Sequence, residues 1–165
     1  MKNFVRCKTV LIFTFLSLLL GCSEADTQQQ MVKQAAAIEN SDECHLCGMI
    51  INNFPGPKGE IFEKSAEQAV KFCSTRDMFS YLLQPENQRQ AQQVFVHDMS
   101  KTPWNKLNDE YFIDAREAWF VVGSSKKGAM GKTLASFSSQ DDALAFSKEF
   151  GGMVYPFDEI TMDLL

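Results

Sequence analysis

Cys44-His45-Leu46-Cys47-Gly48-Met49 places two thiols, an imidazole and a thioether within six residues, with a glycine that lets the backbone turn beside them. Thiolate and thioether are soft ligands, which favour Cu(I) over hard ions such as Mg²⁺ or Ca²⁺. Three chemistries could use the Cys44/Cys47 pair. A structural Zn²⁺ site is tetrahedral and usually takes four N or S ligands, often as two pairs. Here a second pair is missing, His45 sits between the cysteines, and His97 stands alone. A thiol–disulfide redox pair belongs at the N-terminus of a helix, where the dipole lowers the thiol pKa; here Gly48 and an apolar run follow. Cu(I) accepts two or three soft ligands, so a thiolate and a thioether suffice. Cys47 and Met49 are two apart on an extended segment and so share a face. An exported thiol–disulfide oxidoreductase or a zinc-binding module stands as the alternative to a Cu(I) site.

A low-coordinate site wants another soft group from elsewhere. Beyond residue 21 the chain has seven methionines. Met78 reads as core filler in a helix, and Met153, after Gly151-Gly152 at a strand start, also reads as core. Met130 lies in the small-residue loop Gly128-Ala129-Met130-Gly131. A large apolar side chain there either plugs the core or binds something, and the residues alone leave both open. Cys73 reads as a small buried hydrophobe, His97 as a surface or hydrogen-bonded histidine, and Trp104 and Trp119 as packing residues. No nucleophile–base constellation, phosphate-cradling loop or pair of catalytic carboxylates emerges, so the chain reads as a binding protein rather than an enzyme.

The elements that must hold these residues form a repeating pattern. Residues 49–54 read as a strand, 55–59 as a turn rich in Pro and Gly, and 60–63 as a second strand. Ser65, with Gln68 three residues on, reads as a capping box opening a helix that Pro85 ends. Residues 94–96 read as a strand. The second half follows suit: strands at 119–123 and 134–137, a helix over 139–150 capped by Ser139 and Gly151 with Ala143, Leu144, Phe146 and Phe150 on its apolar face, and a strand at 153–157. Glu67-Gln68-Ala69-Val70-Lys71-Phe72 lines up with Asp141-Asp142-Ala143-Leu144-Ala145-Phe146. The expected architecture is α+β, two small ββαβ repeat units over residues 42–102 and 103–165. Each unit is marginal alone, so the two pack together, with residues 103–114 joining them.

The N-terminus sets the compartment. Lys2, Arg6 and Lys8 precede a largely apolar run over residues 10–20, too short for the ~20 residues of a membrane-spanning helix but suited to a secretory signal. It ends Leu19-Leu20-Gly21-Cys22, which resembles a bacterial lipobox, with Cys22 as the lipidated residue after removal of residues 1–21. Residues 22–41, with Gln28-Gln29-Gln30, read as a flexible tether. Loss of residues 1–21 removes three of the 16 basic side chains and none of the 21 acidic ones, leaving a net charge of −8. Such a surface repels phosphates and excludes nucleic-acid binding as a function class. Three cysteines remain beyond the lipid anchor, Cys44, Cys47 and Cys73. The count is odd, so at least one thiol is free or engaged.

Taken together, the lipobox, Cys44-x-x-Cys47-Gly48-Met49, Val121-Val122-Gly123-Ser124, Ala129-Met130-Gly131 and Gly151-Gly152 resemble the NosL family of nitrous oxide reductase accessory lipoproteins. The likeness runs from Ser41 to the end of the chain. It implies two ββαβ units and a Cu(I) chaperone for the copper centres of nitrous oxide reductase. It also implies Met130 as a ligand beside Cys47 and Met49, with Cys44 as a fourth or exchanging ligand and His45 contributing when a partner docks. The implied partners are nitrous oxide reductase and its associated membrane transporter maturation complex. The implied address is the periplasmic side of a bacterial membrane, lipid-anchored through Cys22. Ser23 tilts that address towards the outer membrane.

Overall fold

Strand β1 (Gly59–Glu63) leaves the Pro55-Gly56-Pro57 turn and runs through the middle of a four-stranded antiparallel sheet. In the computed structural model, which describes residues 33–165, β2 (Val70–Phe72) flanks β1 on one side and β3 (Ala91–His97) on the other. Two helices, α1 (Thr75–Leu82) and α2 (Pro85–Gln90), connect β2 to β3. Residues 103–114 do more than join the halves, because β4 (Phe112–Asp114) pairs with β3 and extends the first sheet. The second sheet begins with β5 (Trp119–Val122), followed by the hairpin β6 (Lys127–Gly128) and β7 (Gly131–Lys132). Next come β8 (Ala135–Phe137), α3 (Gln140–Phe150) and β9 (Met153–Pro156), with β8 and β9 on either side of β5. Both sheets therefore carry the expected ββαβ plan, in which the first strand lies at the centre and the helix precedes the last strand.

The two sheets share a core. Along β5, side chains alternate between faces: Phe120 enters the cluster holding Ile61, Phe72, Met78 and Phe79, whereas Val121 faces Ala143 and Phe146 of α3. The Phe79 and Phe120 rings meet edge to face with centroids 5.0 Å apart, and Phe157 lies 5.5 Å from Phe79. Both Phe79 and Phe120 are fully buried; each such side chain contributes roughly 1.5–3 kcal/mol by leaving water. Close approach of α1 to β1 requires a glycine, since a Cβ on Gly59 would stand 2.5 Å from the Met78 sulfur.

Several elements differ from expectation. Residues 49–54 are not a strand. Asp42 and Ile51 pair through Ile51 N–H to the Asp42 carbonyl (2.9 Å), Glu43 bridges Ile50, and a 3-10 turn (Ile51–Asn53) follows. The first helix begins nine residues later than Ser65 implies. Val70 and Phe72 alternate and pair with β1, and Ser74, not Ser65, is the N-cap, accepting from the Asp77 N–H. The polar stretch 74–77, which falls in the middle of the expected helix, is the capped start of the observed one. Pro85 opens α2 at its first turn, where its missing N–H costs nothing. Residues 67–72 are turn and strand whereas 141–146 are helix, so that sequence match aligns non-equivalent positions. Leu144 is 51% exposed rather than on the apolar face of α3.

Residues 33–38, expected at the end of a tether, lie against the face of the first sheet opposite α1. Their N–H groups at Lys33, Ala36 and Ile38 donate to Gln93 Oε1 (2.8 Å), Glu60 Oε2 (2.9 Å) and Asp109 Oδ2 (2.7 Å). The signal segment, Cys22 and the tether as far as residue 32 lie outside the described residues. Among the described residues, no helix is long and apolar enough to cross a membrane.

Candidate metal centre

The Cys44–Met49 loop closes on itself. Cys44 N–H donates to the Met49 carbonyl (2.8 Å) and Gly48 N–H to the Cys44 carbonyl (2.8 Å). Gly48 stands at φ +71°, a conformation other residues adopt only with strain. The loop is pinned to β2 by His45 N–H donating to the Lys71 carbonyl (2.9 Å). This brings Cys44 and Cys47 onto the β2–α1 junction, where Cys73 is the single residue between the end of β2 and the Ser74 cap. Asp77 lies in the first turn of α1.

Four donor atoms meet there. The sulfurs of Cys44, Cys47 and Cys73 and a carboxylate oxygen of Asp77 all lie within 4.8 Å of one another. The Cys73 thiol donates to Asp77 Oδ2 (3.0 Å), the Cys44 thiol reaches the same oxygen at 3.9 Å, and the Cys47 and Cys73 sulfurs are 3.5 Å apart. Cys44 and Cys73 are buried and Cys47 is exposed, so the cluster opens to solvent at one corner. The thiol–thiol contact with Cys73 holds the Cys44 thiol down at about 5, against the opposing effect of burial. The same contact, reinforced by burial and by the Asp77 carboxylate, pushes Cys73 far up. Burial also raises Cys47. These contacts favour the thiolate at Cys44 over Cys47 and Cys73, and the thiolate is the form that accepts a soft cation.

Beneath the cluster lies Lys58, 1% exposed. Its Nζ donates to the carbonyls of Phe54 (2.7 Å), Pro55 (3.3 Å) and Cys73 (3.0 Å). Burial pulls its pKa down to about 8, and its charge interactions with Cys73 and Cys44 oppose that fall.

Of the residues singled out in the sequence, Cys44 and Cys47 come together with the two partners just described. His45 turns its ring towards Tyr81 (5.0 Å) and Phe72 (6.0 Å) and lines a cavity of about 550 Å³ with Asp42, Glu67 and Lys71. Met49 is half-buried against the shared core. Met130 is 56% exposed at the turn of the β6–β7 hairpin. That hairpin is fastened to the same junction. The Thr75 and Thr133 hydroxyls lie 3.1 Å apart, and Leu134 N–H donates to Thr75 Oγ1 (3.2 Å). Three residues of chain, at most about 11 Å, separate Met130 from Thr133. Cys73, Asp77 and Lys58 were missed in the sequence. Once Ser74 is recognised as the cap, Cys73 and Asp77 fall at a helix start, which is the signal that could have found them. Lys58 has no comparable mark. Cys73 and Asp77 also supply the donors whose absence argued against zinc.

A cluster of three thiols and a carboxylate at the β2–α1 junction of a double ββαβ frame defines an α+β protein with a candidate site for a soft metal ion. The comparisons narrow the class. The NosL family model matches residues 35–165. The chain is 48% identical over 147 residues to the copper-binding lipoprotein NosL of Stutzerimonas stutzeri, covering 89% of this chain and 76% of that protein. It is 35% identical over 159 residues to the Achromobacter cycloclastes protein of the same description, covering 94% and 81%. The crystal structure of the copper chaperone NosL from Shewanella denitrificans superposes with a TM-score of 0.78 at 60% identity, covering 79% of this chain and 98% of that one. The chain belongs to the NosL family.

Proposed function

We propose that this chain is a membrane-anchored Cu(I) carrier that delivers copper for assembly of the copper centres of nitrous oxide reductase. The observation that carries the reading is the Cys44–Cys47–Cys73–Asp77 cluster, three sulfurs and one oxygen open on one side. Soft sulfur donors hold Cu(I) well. The opening at Cys47 lets an incoming ligand displace one donor, so the ion passes through a shared intermediate. Met49 and Met130 supply thioethers from the adjoining loop and hairpin, and His45 joins when a partner docks. Cys22 carries the lipid that holds the protein on the periplasmic side, with the outer membrane favoured. Relatives described as copper-binding lipoproteins support both the cargo and the anchor. Nitrous oxide reductase and its membrane transporter maturation complex are the recipients that family membership suggests.

Anaerobic titration with Cu(I) against a chromophoric chelator, followed by mixing with metal-free nitrous oxide reductase, tests the reading. Stoichiometric binding and transfer are expected; failure of the chelator to lose Cu(I) to the protein overturns it. Zinc is the second reading, favoured by the Asp77 oxygen as a fourth donor. Retention of Zn(II) in preference to Cu(I) would establish it.

A further inference from the structure

Lys58 is a buried cation whose partners are all neutral. Among the described residues it makes no salt bridge, yet its side chain is 1% exposed. It donates to three separate carbonyls, those of Phe54, Pro55 and Cys73. An ammonium has three hydrogens to give and a neutral amine only two, so the arrangement itself calls for the charged form. A buried charge needs an opposite charge nearby, or it costs several kcal/mol in lost solvation. The third carbonyl belongs to Cys73, a member of the sulfur cluster, so the nearest place for that opposite charge is the cluster.

We propose that Lys58 is the fixed counter-cation of the metal centre and sets its preference for a monovalent over a divalent ion. The proposal rests on the copper reading above. For one and the same set of donors, the Cu(I) complex carries one more negative charge than the Zn(II) complex. Lys58 therefore favours the Cu(I) complex over the Zn(II) complex by the attraction of one unit charge. At an effective dielectric constant of about 20, a unit charge at this range is worth roughly tenfold or more in binding. Lys58 touches no ion itself; it is a positioning residue that acts through the charge of the cluster and through the Cys73 carbonyl.

The test is the ratio of two affinities. Cu(I) and Zn(II) binding are measured anaerobically at pH 7 by chelator competition for the wild-type chain, Lys58→Met and Lys58→Arg. Lys58→Met is expected to lower the ratio of Cu(I) to Zn(II) affinity about tenfold. Lys58→Arg, which keeps the charge, is expected to restore most of the ratio. Lys58→Gln, which keeps an amide donor for Cys73, replaces the Met variant should that variant lose its native circular dichroism. Equal loss of both ions in the neutral variants marks Lys58 as merely structural and overturns the proposal, as does an unchanged ratio. A wild-type chain that binds no Cu(I) overturns the copper reading, a result separate from an unchanged ratio in a chain that does bind.

Discussion

The two ββαβ units make the same junction from different atoms. In the first, β2 ends at Phe72, one residue follows, and Ser74 caps α1 with Asp77 in its first turn. In the second, β8 ends at Phe137, one residue follows, and Ser139 caps α3 with Asp142 in its first turn. The intervening residue is Cys73 in one and Ser138 in the other. The Ser138 hydroxyl donates to Asp98 Oδ2 (2.6 Å), whose carboxylate also accepts from the Ser100 hydroxyl (2.8 Å) and N–H (3.0 Å). Burial would raise Asp98, but the hydrogen bonds from Ser138 and Ser100 outweigh it and hold the carboxyl below its usual range. The second junction is a closed lock of oxygen and nitrogen. The first is a set of sulfurs open at Cys47. The fold supplies a fixed place between strand and helix, and the atom placed there decides whether it ties the structure together or receives a soft ion.

Substitutions that exchange the two junctions carry the largest expected effects. Cys47→Ser removes the exposed sulfur and is expected to lower Cu(I) affinity about a hundredfold or more, given the preference of Cu(I) for thiolate. Cys73→Ser makes the first junction a chemical copy of the second and is expected to weaken Cu(I) nearly as much. Chelator competition reads both. Asp98→Ala unlocks the second junction, removes the carboxylate shared by Ser138 and Ser100, and is expected to cost about 1–2 kcal/mol in denaturant unfolding. Its Cu(I) affinity is expected to stay within about twofold of wild type, and a large loss would show that the junctions are not independent.

The central strands sharpen the same contrast. Gly59 of β1 pairs with Phe72 as Trp119 of β5 pairs with Phe137, so Glu60 is the counterpart of Phe120. Both are fully buried. Phe120 lies in the shared core, whereas Glu60 lies under residues 33–38, and its Oε1 has no hydrogen-bond partner among the described residues. Burial raises Glu60 to about 7. A carboxyl raised by folding contributes stability that is full below its unfolded pKa and lost as pH rises through the folded one. Unfolding free energy of the metal-free chain is therefore expected to fall between about pH 4.5 and 7, by on the order of 2–3 kcal/mol. Glu60→Gln should flatten that slope, and an unchanged slope would assign it to other groups. The smallest effect belongs to Met130. Being exposed, Met130→Ala should leave thermal unfolding unchanged while lowering Cu(I) affinity about tenfold, and unchanged affinity removes Met130 from the site.

The tandem ββαβ plan was legible because apolar runs at 94–96, 119–123 and 134–137 and the Ser139–Gly151 caps are local signals. The first helix was not, because Ser65 and Gln68 imitate a capping box while Ser74 and Asp77 form the actual cap. That one misplacement hid Cys73, which looks like a core residue inside a helix and like a ligand in front of one. The informative repeat was Phe72-Cys73-Ser74-x-x-Asp77 against Phe137-Ser138-Ser139-x-x-Asp142, a pairing that only the strand register makes plain. Lys58 was invisible for another reason, since its meaning lies in three carbonyls brought together by tertiary packing.

X-ray absorption at the copper edge of the Cu(I)-loaded chain, wild type beside Cys73→Ser, measures the donor atoms themselves. The account predicts a shell dominated by sulfur in the wild type and the loss of one sulfur from it in the variant. A shell of nitrogen and oxygen donors, or one identical in both proteins, would contradict the assignment of the β2–α1 junction as the metal centre.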